Sequence, residues 1–339
     1  MPDRSPHQSP PPERPDGWTD AAESLVRLTD PDGTSVAWVC PALGANVVAY
    51  AVNAGHGWRQ VLHQDGPAAL RERPSRFGLP ILFPFPGHMA GGRYRWRRAL
   101  YSMPMLNPSA PSYTHGFAHQ LPWRVTEQTE STLSAGLDTR TDLEPAQRAG
   151  YPFDVTLSLT ITLTAIELVV TLVAENVGQV DAPVGIGLHP YFDPRFFGVV
   201  DRSALDVYLP GTRRRLLTAG PPIPTGASEP ADPATPVQPV PLGQQMLASR
   251  TDFGDAPTAR IVGGTADAGS FQVDVVMEEG WEDVLLFAPA DGPSISIEPH
   301  TCAPGASSLS EDGPDGQRPL APGQQLRVRA AIRAAHQAG

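Results

Sequence analysis

The groups best suited to moving protons near neutral pH fall in a few short segments. In PSISIEPH, Ile295 and Ile297 share one face of a strand, while Ser294, Ser296 and Glu298 share the other. Glu298, between Ile297 and Pro299 at a strand end, is expected to be partly desolvated, which suits a carboxylate to general-base work. On these residues alone it could equally be an exposed edge-strand glutamate. In GIGLHPYFD, His189 precedes Pro190, which biases it toward an extended backbone at a strand end or turn. An isolated loop histidine is more often inert than chemical. His115 and His119 stand four apart in THGFAHQLPW, a spacing that on a helix would put both rings on one face, as in a metal site. Gly116 and Pro122 argue against a helix there. His88 is the remaining histidine of interest; His7, His336, His56 and His63 have simple structural readings.

These segments must be positioned by strands. Over FDVTLSLTITL the residues Phe153, Val155, Leu157, Leu159, Ile161 and Leu163 recur with period two, and after a break at Thr164-Ala165 the phase passes to Ile166, Leu168, Val170 and Leu172, predicting a hairpin. QLRVRAAIR sets Leu326, Val328, Ala330 and Ile332 against a solvated face of Arg327, Arg329 and Arg333. No helical period runs for long, no strand-helix alternation with glycine-rich turns is found, and no internal repeat is found. The 39 Pro and 32 Gly also demand turns. The expected architecture is all-β: one large antiparallel β-sandwich over residues 21–335, preceded by a disordered Pro-rich tail at 1–20. The Pro- and Gly-rich stretch from Gly211 to Gly243 reads as a long loop or mobile insertion.

Composition narrows the chemistry. The 25 basic residues are all arginine, so reactions that need a lysine nucleophile or a P-loop lysine are excluded. A net charge of −11 and a pI near 5.2 disfavour nucleic acid and anionic lipid. Cys40 and Cys302 are too few for a disulfide framework and lack Cys-x-x-Cys spacing. The N-terminal stretch has no apolar core of a signal peptide and no apolar run nears a membrane span, so a cytoplasmic protein is expected.

Four segments in order, GLPILFPFPGHMAGGRYRW, THGFAHQLPWRV, GLHPYF and ISIEPHTCAPGA, together with LAPGQQLRVRAAI, resemble the aldose 1-epimerase family from Gly78 to about Ile332. The resemblance implies a large antiparallel β-sandwich with a sugar in an open cleft, and an enzyme that interconverts the α and β anomers of a free hexose without a cofactor or metal. It assigns the base to Glu298, the acid at the ring oxygen to His189, and a second donor to His115. It places a sugar-binding aspartate at Asp252, with Asp255 as the alternative. Where the family commonly has Asn-Arg after Phe-Pro-Phe-Pro, this chain has Gly87-His88. His88, or Arg76 or Arg93 nearby, would then meet the sugar.

Other readings are mutarotation of a hexose 6-phosphate held by Arg93, Arg95, Arg97 and Arg98, or a non-catalytic carbohydrate-binding protein on the same fold. A two-carboxylate glycosidase would need Asp252 opposite Glu298, and a zinc site would draw on His115, His119 and His189.

Overall fold

A computed structural model describes residues 10–337 except 16, 19–24, 54–56, 106–109, 256, 266–268 and 310–316. The expected hairpin forms as the strands Val155–Leu163 and Glu167–Asn176, paired antiparallel from Val155–Asn176 to Leu163–Leu168. Burial alternates along Val155–Leu163, the one-sided burial that its period-two sequence requires. Ile166 departs from the expected phase: it sits in the turn and is exposed. The C-terminal strand Gln325–Gln337 lies between Glu167–Asn176 and Gly269–Glu279 at the middle of an eight-stranded sheet. Its outer arginines are more than solvated, since Arg327 pairs with Glu279, Arg329 with Glu278 and Arg333 with Glu167 across neighbouring strands.

A second sheet follows the order Pro224–Pro230, Arg213–Leu217, Met246–Thr251, Asp283–Ala288, Ile295–His300, Gly187–Leu188 and Ile81–Leu82. Ile295 and Ile297 join Leu157, Leu172 and Val328 of the first sheet in one continuous apolar core, so the two sheets bury a shared interior. A four-stranded sheet, Val26–Thr29 to Trp58–Gln60, extends that core and carries a smaller cluster containing Trp38, Leu70 and Phe77. The chain is therefore all-β, as its periodicity predicts.

Two expectations change. The Gly211–Gly243 stretch is not simply a loop: Arg213–Leu217 and Pro224–Pro230 form a hairpin at the sheet edge. Prolines at the ends of an edge strand cost few ladder bonds, which is why a Pro-rich sequence can still pair there. Of the expected tail, residues 1–9, 16, 19 and 20 lie outside the described residues. Trp18 is held, packing into the smaller cluster and donating its indole N–H to Gln64 Oε1 at 3.2 Å.

Candidate active site

Ile295–His300 is an interior strand, flanked on one side by Asp283–Ala288 and on the other by the short strands Gly187–Leu188 and Tyr191–Phe192. Gly187 pairs with His300 and Tyr191 with Ser296, so the interrupted segment between them sets His189 across from Glu298. Pro190 has no N–H to give a ladder and breaks the strand at that point. Glu298 is only 3% exposed, which excludes the exposed-edge reading.

His189 Nε2 lies 3.3 Å from Glu298 Oε1, and His300 Nε2 lies 3.5 Å from Glu298 Oε2. The carboxylate is thus bracketed by two imidazoles. His189 Nδ1 is 2.7 Å from Ser296 Oγ, its Nε2 is 3.2 Å from the Tyr191 hydroxyl, and its ring stacks on Tyr191 at 4.5 Å. With the Ser296 hydroxyl donating to Nδ1, the tautomer that carries its hydrogen on Nε2 turns a donor toward the Glu298 carboxyl group. Burial lowers His189 to about 4 against the opposing pull of Glu298. The ring is therefore neutral at pH 7.

His115 enters from another direction. It holds a left-handed backbone, φ 65°, beside Gly116 at φ 72°, and the Phe117 N–H donates to the Phe83 carbonyl at 2.8 Å. A Cβ on Gly116 would stand 2.0 Å from that carbonyl oxygen, so only glycine permits this approach. The Gly87 N–H donates to His115 Nδ1 at 3.3 Å, leaving Nε2–H as the ring's free donor. Burial first, then the charges of His189, His88, His119 and His300, holds His115 well below its usual value. Its ring meets His189 edge-on at 5.2 Å.

Glu298, His189 and His115 line a cleft of about 240 Å³ that also includes Arg76, His88, Tyr191, Gln245, Leu285 and Phe287. His88 Nδ1 contacts Ser112 Oγ at 2.8 Å, and burial lowers its pKa. Arg76 forms an ion pair with Asp291 and lies 5.8 Å from the Phe287 ring centroid. Five of the six expected site residues thus come together: Glu298, His189, His115, His88 and Arg76. A larger groove of about 560 Å³ near Trp58 and Arg59 contains Asp193, whose carboxylate is paired with Arg195.

Asp252 is the exception. The strand Met246–Thr251 presents Leu247 to the cleft, but its other end, Thr251, pairs opposite Asp283; Asp252 lies beyond it, exposed and outside the cleft lining. Asp255 is exposed as well. His119 sits on the short turn Ala118–Gln120, with Nε2 3.1 Å from the Gln120 amide and its pKa lowered by burial to about 3. The positive φ of Gly116 breaks the helical register that would have aligned it with His115. Among the described residues, no group of three or more His, Cys, Asp or Glu is placed to hold a metal. Arg93 and Arg95 alternate outward from buried Tyr94 and Trp96, Arg97 pairs with Asp181, and none of Arg93, Arg95, Arg97 or Arg98 lines the cleft. Cys40 and Cys302 are buried free thiols. No helix among the described residues is long and apolar enough to cross a membrane.

Sequence reasoning passed over His300, Tyr191 and Gln245. His300 continues the period-two row of Ser294, Ser296 and Glu298, so that alternation already carried its signal.

The family model for aldose 1-epimerase matches residues 24–267, and the chain belongs to that family. An uncharacterized Escherichia coli K12 protein, YihR, is 29% identical over 148 residues, 42% of this chain; the match spans 46% of that relative, just under half its length. A galactose mutarotase-like protein from Clostridium acetobutylicum superposes with a TM-score of 0.77 at 18% identity, covering 93% of this chain and 96% of that one. A GalM/aldose epimerase homologue from C. elegans gives 0.75 at 14% identity, covering 94% and 100%. At such identities the superpositions establish the fold.

Proposed function

We propose that this protein is an aldose 1-epimerase that interconverts the anomers of a free aldose by acid–base ring opening, without a cofactor. The observation that carries this reading is the buried Glu298 carboxylate held between His189 and His300 on the cleft wall. Glu298 takes the proton from the anomeric hydroxyl as the bond between C1 and the ring oxygen breaks. The Nε2–H groups of His189 and His115 donate to the ring oxygen, where negative charge develops. The proton that this oxygen finally takes comes from His189 Nε2, and Glu298 refills that nitrogen across their 3.3 Å contact. One proton has left O1, one has reached the ring oxygen, and the pair ends as it began. Rotation about C1–C2 and reclosure give the other anomer.

A neutral His189 modifies the expected role: it acts as a hydrogen-bond donor and relay and not as a standing imidazolium. His300 Nε2 stands 3.5 Å from the far carboxylate oxygen, and Phe287 offers an apolar surface to the sugar. A free sugar fits better than a phosphorylated one, because the cleft's arginine, Arg76, is already engaged by Asp291. Polarimetry on freshly dissolved α-glucose, α-galactose and α-glucose 6-phosphate tests this. The free hexoses should equilibrate faster with enzyme than without, and a selective acceleration of the phosphate ester would reverse the substrate assignment.

A further inference from the structure

The cleft opens into a second groove of about 550 Å³, with Pro222, Gln245 and Leu247 shared by both. Its origin is a splayed pair of strands. Arg213–Leu217 and Met246–Thr251 are neighbours in the sheet, yet they pair only at Arg213–Thr251. A register shift between Arg215 and Leu217 bends the edge hairpin away from that point, as a bulge does. Beyond it the two strand edges face each other across a gap, turning main-chain donors and acceptors toward it.

We propose that this groove is a second sugar subsite and that the favoured substrates are reducing disaccharides, the free anomeric centre at Glu298 and the second ring in the groove. This rests on the mutarotase reading above. Ser249, Leu285 and Glu298 stand opposite one another in successive strands and so share a face. The groove wall at Ser249 is then two strand spacings, about 10 Å, from the base. The Ser249 hydroxyl is buried without a protein partner, and Gln245 stands where the two spaces meet. The lining otherwise mixes Leu216, Leu217, Met246 and Ala248 with polar edges, which suits the apolar face and hydroxyl rim of a sugar ring. The groove favours a neutral unit over an anionic one, because Arg214 is paired with Glu229 and Arg215 with buried Asp283.

Titration calorimetry of the whole protein with maltose, cellobiose, lactose and melibiose against glucose reads the groove independently of turnover, and polarimetry on the same sugars reads catalysis. At least one disaccharide should bind about tenfold tighter than glucose, the contribution of one or two additional hydrogen bonds. Its kcat/KM should rise in step. Ala219→Trp, at an exposed position on the groove, should return the disaccharide-to-glucose ratio toward one without altering the melting curve. Equal affinity for glucose and every disaccharide, or a ratio that Ala219→Trp leaves unchanged, overturns the subsite whether or not mutarotation is seen. Tight disaccharide binding with no acceleration would overturn the catalytic reading and uphold the groove.

Discussion

Acidification separates a neutral His189 donor from an imidazolium acid. With its pKa lowered to about 4, the ring is protonated to ~3% at pH 5.5 and to ~0.03% at pH 7.5. If catalysis required the imidazolium, kcat/KM would fall about a hundredfold between those two pH values, tenfold per unit. If the neutral ring is the working form, kcat/KM stays level within about twofold over the same range. His115 and His88 face the same cleft, and burial lowers both from the usual histidine value. The assay is initial-rate polarimetry on α-glucose in constant-ionic-strength buffers, with the uncatalysed rate subtracted and folding checked by circular dichroism at each pH. That control matters because the same shift affects stability. A histidine at 6.5 unfolded and about 4 folded contributes stability that is complete above pH 6.5 and lost as pH falls toward 4. A hundredfold slope across that range would refute the neutral-donor mechanism.

Two substitutions probe the supports of the site. Gly116→Ala places a Cβ against the Phe83 carbonyl in a left-handed backbone, and should cost at least about 2 kcal/mol in urea unfolding as well as lowering kcat through displaced His115. His300→Gln keeps a donor near Glu298 Oε2 and should retain most activity, whereas His300→Ala should lower kcat about tenfold or more with little change in KM, as measured by polarimetry.

The alternation of Ile295 and Ile297 with Ser296 and Glu298 separated the core face of that strand from the face that carries Glu298, but left open whether that glutamate was buried or exposed. For His189, Pro190 made a strand end or turn legible, and the structure places that interruption opposite Glu298, whereas the role of the ring came from the family resemblance. His115 was carried by resemblance, because its placement depends on a contact between Gly116 and Phe83 that is distant in sequence. Asp252 was misplaced because a local Asp-Phe pattern says nothing of strand register: pairing of Thr251 with Asp283 puts the next residue past the strand end and outside the cleft. The hairpin within 211–243 was hidden by its prolines and by alternation between half-buried and exposed residues, the mark of an edge with little core to announce it.

The central claim is that Glu298 is the base. Glu298→Gln preserves shape while removing the accepting charge, so it should leave the melting curve near wild type and cut the enzymatic rate of α-glucose mutarotation about 10²–10⁴-fold in polarimetry. A well-folded Glu298→Gln protein that equilibrates the anomers at the wild-type rate would contradict the assignment outright.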